Sequence, residues 1–380
     1  MIQKIRIILI VDPKGNLESR NADARNRHKI YGSKLQELDP SGELQLCVFT
    51  NGEFCDYDLR PEISFMQFPT KRFKFISFLY FANKEIKHRN LDVPVLISSD
   101  AWESFLVAKV LSIFCGQNLK IQIQIHADIS DSAWLRSNWK NIFRKLFQHY
   151  SLKSADQIRV VSPHLKGYLE SRYGIDSSKI VVAPIPVLLQ TEMPKPSEKR
   201  SEDFFQFGLI GRMHWDRGVE FFPEIVQILS SQQSDFQIVL AGQGPQQKFL
   251  IDRLENLVGK KRVNYLGQLN SEDLVNTLVN LDVYFSLARS ESYGLGMREA
   301  IALGVPVIAL ESNGSLAAQD EFGESRIRLI NLPLDPEEVY LAIEWALTQK
   351  QAIGPIGEIQ VASQGNTKEL IDSWIRLAIS

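Results

Sequence analysis

Cysteine is scarce in this chain. Its 380 residues hold three, Cys47, Cys55 and Cys115, with no pair at C-x-x-C spacing. That excludes a disulfide framework and a thiolate zinc site, and leaves free thiols in a reducing cytoplasm as the expectation. Long apolar runs are missing too: no stretch approaches the ~18 residues of a membrane span, and the first residues lack the apolar core and cleavage site of a signal peptide. Net charge is only −2, and no nucleic-acid-binding motif accompanies the basic stretches, so nucleic acid is not expected as a partner. The small net charge hides an asymmetry. Residues 1–190 carry 26 Lys and Arg against 19 Asp and Glu, whereas the remainder carries 17 against 26, which directs the first half toward something anionic. With 44% apolar and 23% charged residues, the composition is that of a globular protein, and the length suggests two domains.

What is present is an alternation of strand and helix, the pattern of an α/β protein with parallel sheets. Lys4 to Val11 (KIRIILIV) is a near-continuous β-branched run, as in a strand covered on both faces. Further strands are expected at 45–49, 63–67, 93–98, 121–125, 155–161 and 180–182, and helices at 20–38, 105–114 and 165–173, with Ser162 capping the last ahead of Pro163. Prolines at 184, 186, 194 and 196 and a charged EKRSED run mark a boundary. The expected organisation is a first domain over 1–187, a linker over 188–203, a second domain over 204–362, and a terminal helix over 363–380 striped with Leu370, Trp374, Leu377 and Ala378. In the second domain strands are expected at 204–210, 236–241, 263–267, 283–287, 305–310 and 327–330.

The densest stretch is Ser290 to Ala309, SESYGLGMREAIALGVPVIA. A buried strand ends at Leu287, Gly294 and Gly296 open a helix, and a second strand follows Gly304. Such a turn aims backbone N–H groups and the positive end of a helix dipole at one spot, which suits phosphate. Glu291 lies before the glycines and Glu299 eight residues later, so the two cannot share a helical face. They could hold hydroxyls at either end of a ligand whose phosphate sits between them. A second motif, GRMHWDRGVE, follows the strand ending at Ile210. Arg212 and Arg217 are expected beside the N-terminus of a helix beginning near Arg217, an environment that neutralises a diphosphate through guanidinium forks without a metal. A solvated turn with two surface glutamates, and arginines in ordinary salt bridges, are the plainer alternatives.

Glu291 and Glu299, with Gly294, Ala300, Gly304 and Pro306, resemble the Glu-x7-Glu signature of the retaining family 4 glycosyltransferases. The resemblance implies the GT-B fold, two doubly wound Rossmann-like domains facing across a cleft, with the terminal helix packing back on the first domain. It implies transfer of a sugar from a nucleoside diphosphate to a hydroxyl, with retention, no metal and no cofactor beyond the donor. Arg212 and Arg217 would then hold the diphosphate, and Gly211, Ser292, Tyr293, Gly294, Leu295 and Gly296 would line the phosphate or sugar. Glu299 would bind the ribose hydroxyls, Glu291 the sugar hydroxyls, and His126, just past the strand ending at Ile125, the transferred sugar from the other domain. The family's Gly-Arg pattern usually ends in Lys where Arg217 stands. The first loop, PKGNLESR, keeps only Gly15 of the family's paired glycines; Asn16 and Arg20 are candidate substitute donors. An inactive GT-B subunit that binds another transferase, and a sugar-nucleotide epimerase, are the competing readings.

Two segments of the first half mix cations with aromatics. Residues 71–89 (KRFKFISFLYFANKEIKHR) hold six Lys or Arg against one Glu, and residues 134–150 add Arg136, Lys140, Arg144 and Lys145 beside Trp139, Phe143 and Phe147. Both fit helices with a solvated face, and both fit peripheral contact with the inner face of a membrane. Sequence leaves the nucleotide base, the sugar and the nature of the acceptor open: glycan, lipid-linked or protein.

Overall fold

Residues Ile7 to Asp12 are buried without a break, as expected of a parallel strand with helices on both sides. The computed structural model describes residues 4–18, 22–69, 74–115, 119–187, 204–232, 235–352 and 358–380. Arg20, residues 71–73 and the expected linker 188–203 lie outside them. The chain divides into two units: residues 1–130, 138–186 and 363–380 form the first, and 131–137 with 187–362 the second.

The first unit runs β1 (Ile5–Asp12), α1 (Ala22–Leu38), β2 (Leu44–Gly52), β3 (Asp56–Leu59), β4 (Ile63–Pro69), α2 (Lys74–His88), β5 (Leu91–Ser98), α3 (Glu103–Cys115), β6 (Lys120–Ile125), α4 (Ser132–Ser137), α5 (Lys140–Ser154), β7 (Gln157–Val160), α6 (Pro163–Tyr173) and β8 (Ile180–Val182), with the short α4 grouped in the second unit. Its eight strands are ordered β3-β4-β2-β1-β5-β6-β7-β8. All pairs are parallel except β3, which runs antiparallel to β4 at the edge. That strand was not expected from the sequence: DYDL carries two aspartates and is at best half-buried, a charged edge of the kind that discourages further pairing. Ser162 accepts the Leu165 N–H and Pro163 opens α6, as the sequence predicts.

The second unit runs β9 (Phe205–Ile210), α7 (Phe222–Gln232), β10 (Phe236–Ala241), α8 (Gln247–Val258), β11 (Val263–Tyr265), α9 (Ser271–Val279), β12 (Val283–Ser286), α10 (Leu295–Ala302), β13 (Val307–Leu310), α11 (Asn313–Phe322), β14 (Ile327–Ile330) and α12 (Pro336–Ala352); α13 (Glu358–Ile379) ends the chain. The six strands are parallel and ordered β11-β10-β9-β12-β13-β14, the doubly wound arrangement in which the order reverses between β9 and β12. Phe207, Phe222, Phe236 and Phe285 fill one side of this sheet. The stripe at the chain's end is buried in the first unit, where Trp374 packs edge-on against Tyr31 at 5.9 Å and donates to Gln122 Oε1 at 2.8 Å.

Candidate functional site

Ligands of open α/β sheets bind beyond the carboxyl ends of the strands where the order reverses. In the second unit that place lies beyond Ile210 of β9 and Ser286 of β12. The two loops there carry both motifs singled out in the sequence.

After β9 the chain turns through Gly211, whose N–H is spent on the Ala241 carbonyl, and makes a short 3-10 turn at Trp215–Arg217. A helix was expected to begin near Arg217. It begins instead at Phe222, because Gly218 takes the left-handed conformation, φ 65°, and interrupts it. A Cβ on Gly218 would stand 1.7 Å from the Leu287 carbonyl oxygen. This loop therefore rests directly on the end of β12, and the arginines project from a turn, not from a helix N-terminus.

The contact joins the two motifs. Arg217 Nη1 donates to Glu291 Oε2 at 2.6 Å, and the Ser292 N–H donates to Glu291 Oε1 at 3.2 Å. Gly294 adopts φ 73° as the N-cap of α10, and Leu295 and Gly296 form the first turn, whose N–H groups have no intrahelical acceptor. Ser292 and Tyr293 are buried. Half-buried Glu299 lies on α10. Arg212 goes elsewhere: its side chain is 64% exposed and pairs with Asp216 at 3.1 Å.

Three participants escaped the sequence reading. Buried Tyr284 of β12 donates its hydroxyl to the Ile210 carbonyl at 3.1 Å, and a Cβ on Gly296 would lie 2.6 Å from the Tyr284 hydroxyl oxygen. Burial raises the Tyr284 pKa, Glu299 and then Glu291 raise it further, and Arg217 opposes them; the charges of both motifs meet around this one phenol. Gly314, at the start of α11, donates its N–H to the Glu291 carbonyl at 2.6 Å and so steadies the first glutamate. Buried Arg298 lies 4.0 Å over the Tyr293 ring, donates to its carbonyl and pairs with Glu321 at 2.9 Å, bracing the glycine turn from below. A Gly two residues after the Ser312 N-cap is a weak signal for the second of these. Tyr284 looks like a core residue in sequence, and Arg298 like a solvated one.

In the first unit, His126 follows β6 as expected. Its ring nitrogen contacts Gln124 Oε1 at 3.2 Å, and the same oxygen accepts from buried Arg159 at 3.2 Å. Packing around the ring, then the positive charges of Arg159 and Arg27 with His28 nearby, push the His126 pKa down, although the residue as a whole is exposed. Gly15 and Asn16 turn inward: the Gly15 N–H donates to the Asp12 carbonyl at 3.3 Å and the Asn16 amide to Asp12 Oδ1 at 3.1 Å. Burial raises the Asp12 pKa against hydrogen bonds from Leu17, Thr50 and Asn16. A Cβ on Gly15 would meet the Asn51 carbonyl at 2.8 Å, which accounts for the glycine by packing. Among the described residues no cluster of three or more His, Cys, Asp or Glu is disposed to hold a metal ion, and no helix is long and apolar enough to cross a membrane.

Residues 190–352 match the model of the family described as Glycosyl transferases group 1. D-rhamnosyltransferase WbpZ of Pseudomonas aeruginosa is 27% identical over 256 residues, covering 64% of this chain and 62% of that protein. The gpi3 subunit of the phosphatidylinositol N-acetylglucosaminyltransferase of Schizosaccharomyces pombe is 22% identical over 165 residues, 43% of this chain and 36% of that one. The chain thus spans less than two thirds of the length of these relatives. Among solved structures, Anabaena Alr3699/HepE in complex with UDP-glucose aligns with a TM-score of 0.69 at 14% identity, over 98% of this chain and 99% of that one. The likeness establishes the fold: GT-B, with a Rossmann-like sheet in each unit.

Proposed function

We propose that this glycosyltransferase moves a sugar from a nucleoside diphosphate to a hydroxyl of a glycan, lipid-linked or protein acceptor, with retention at the anomeric carbon. The observation that carries the reading is the 2.6 Å pair between Arg217 and Glu291, which draws a phosphate-type cation and a hydroxyl-type acceptor together beside the N-terminus of α10, at the strand reversal. The similarity to a protein crystallised with UDP-glucose supports a nucleotide-sugar donor. Arg217, joined by Arg212 once it leaves Asp216, takes the diphosphate; Glu299 takes the ribose hydroxyls, Glu291 the sugar hydroxyls, and neutral His126 a sugar hydroxyl.

The bond from the anomeric carbon to the diphosphate breaks, a bond to the acceptor oxygen forms on the same face, and the acceptor proton passes to a diphosphate oxygen. The arginines offset the leaving charge, so the proposal uses no metal. Attachment at the cytoplasmic face of a membrane belongs to the same reading. An inactive partner subunit is the second reading, favoured by the inward-turned donors of the 13–17 loop and opposed by the Arg217–Glu291 pair.

Turnover of sugar nucleotides, with the anomer of the product determined, tests the proposal. Arg217→Ala would lose a charged hydrogen bond to the diphosphate of roughly 1.5 to 3 kcal/mol and is expected to slow nucleotide release at least tenfold; because it also breaks the pair with Glu291, melting temperature is measured beside it to show that the variant is folded. An unslowed variant would take Arg217 out of the site, and a nucleotide sugar returned with altered configuration and no acceptor consumed would make the protein an epimerase.

A further inference from the structure

We propose that α5 docks this protein on an anionic lipid bilayer, which gives the membrane contact suggested above a surface and a lipid chemistry. It is the membrane part of that reading alone that the inference rests on.

The helix is inside out. It buries Asn141, Gln148 and Ser151 together with Leu152, and exposes its N-cap Trp139 with Ile142, Phe143, Leu146 and Tyr150. Those five recur at three- and four-residue spacing, so they form one stripe. Leu146 is 73% exposed and Trp139 68%, an arrangement that ordinary packing against a core reverses. Neighbouring α3 extends the apolar surface with Leu106, Ile113 and Phe114. The two helices are joined by Phe105, 6.3 Å from Phe147 and 6.5 Å from Tyr150, and by Arg144 on Glu103 at 2.7 Å. Between them lies a groove of about 310 Å³, its apolar wall made by Trp102, Leu106, Trp139, Phe143 and Phe147.

Charge selects the occupant. Residues 132–154 contain five Lys or Arg and no Asp or Glu, so Lys140, Lys145 and Lys153 flank the stripe without an acidic residue among them. Protein–protein interfaces are depleted of lysine, whereas helices lying in the headgroup region combine Trp, Phe and Leu on one face with Lys and Arg beside it. A second copy of this chain would bring the same cations against themselves across a two-fold axis. Anionic headgroups meet both the stripe and its cations.

The test is flotation of the full chain with phosphatidylcholine vesicles, with and without phosphatidylglycerol. Expected are binding to the anionic vesicles that weakens with added salt, a loss of at least about tenfold in Phe143→Glu/Leu146→Glu, and loss of the anionic preference in Lys140→Glu/Lys145→Glu. Melting temperature reports folding, and sugar-nucleotide turnover in solution is expected to survive both variants, so failure here is separable from failure of the transferase reading. Equal flotation of wild type and Phe143→Glu/Leu146→Glu would overturn the proposal, as would equal binding to both vesicle types. So would a solution dimer that this variant turns into monomer with no vesicle binding.

Discussion

Gly218 shows how much of the site hangs on single atoms. Its φ of 65° is one that residues with a Cβ seldom adopt, and any Cβ would run into the Leu287 backbone at 1.7 Å. Gly42 provides the comparison, since it is left-handed at φ 66° with nothing within 4 Å of the place a Cβ would occupy. Gly42→Ala is expected to cost about 1 kcal/mol, the conformational share alone, and Gly218→Ala clearly more. Urea unfolding of the two variants measures both, and equal midpoints would mean that the β9 loop does not press on β12. At this scale the sequence was partly legible. That Arg217 and Glu291 would lie near each other could be read because each follows a strand of one parallel sheet beside a glycine. Tyr284 could not, because a tyrosine inside a buried run is indistinguishable from core until its hydroxyl is seen to reach the Ile210 carbonyl.

Elements were read better than their ends. The order of strands and helices follows from periodicity, yet the helix expected at Arg217 starts at Phe222, since a glycine's conformation is set by what it packs against. Strand β3 was missed because its aspartates disfavour a strand that an edge position tolerates. One helix carries a pH-dependent consequence. On α1, His28 contacts the Ala24 carbonyl at 2.8 Å and meets Tyr31 edge-on, and Tyr31 in turn meets Trp374 of α13. Burial, with Arg27 and Arg159 acting in the same sense, lowers the His28 pKa to about 4. The unfolded chain, with an ordinary histidine near 6.5, binds a proton before the folded one does. This residue's contribution is therefore complete above that value and falls away as pH drops toward 4. Melting temperature followed from pH 7 to about 4 is expected to decline, and to decline less steeply in His28→Gln; parallel curves would contradict a neutral imidazole in the folded state.

At the scale of the whole molecule, the matched family segment ends at residue 352 and the first unit lies outside it, while the likeness to solved structures spans nearly the entire chain. A nucleotide pocket needs the same few groups whatever the acceptor, so its motifs stay recognisable in sequence; a surface meeting a particular acceptor or membrane need preserve only its shape and charge. The positive excess of the first half is where this becomes visible, shared between residues 71–89 and the segment 132–154 that holds α5. The donor can be identified without knowing the acceptor. A ligand at one hundred times its dissociation constant stabilises the folded state by about 2.7 kcal/mol, enough to raise the melting temperature measurably. A panel of nucleoside diphosphates and their sugars is therefore expected to show one base whose diphosphate protects the protein and whose cognate sugar nucleotide protects it further. Glu299→Ala should erase most of the shift from the diphosphate itself, because that carboxylate is assigned to the ribose. Glu291→Ala should instead erase the increment added by the sugar. If both substitutions removed the same part of the shift, the two glutamates would not be reading opposite ends of one ligand, and the division of labour across the glycine turn would have to be abandoned.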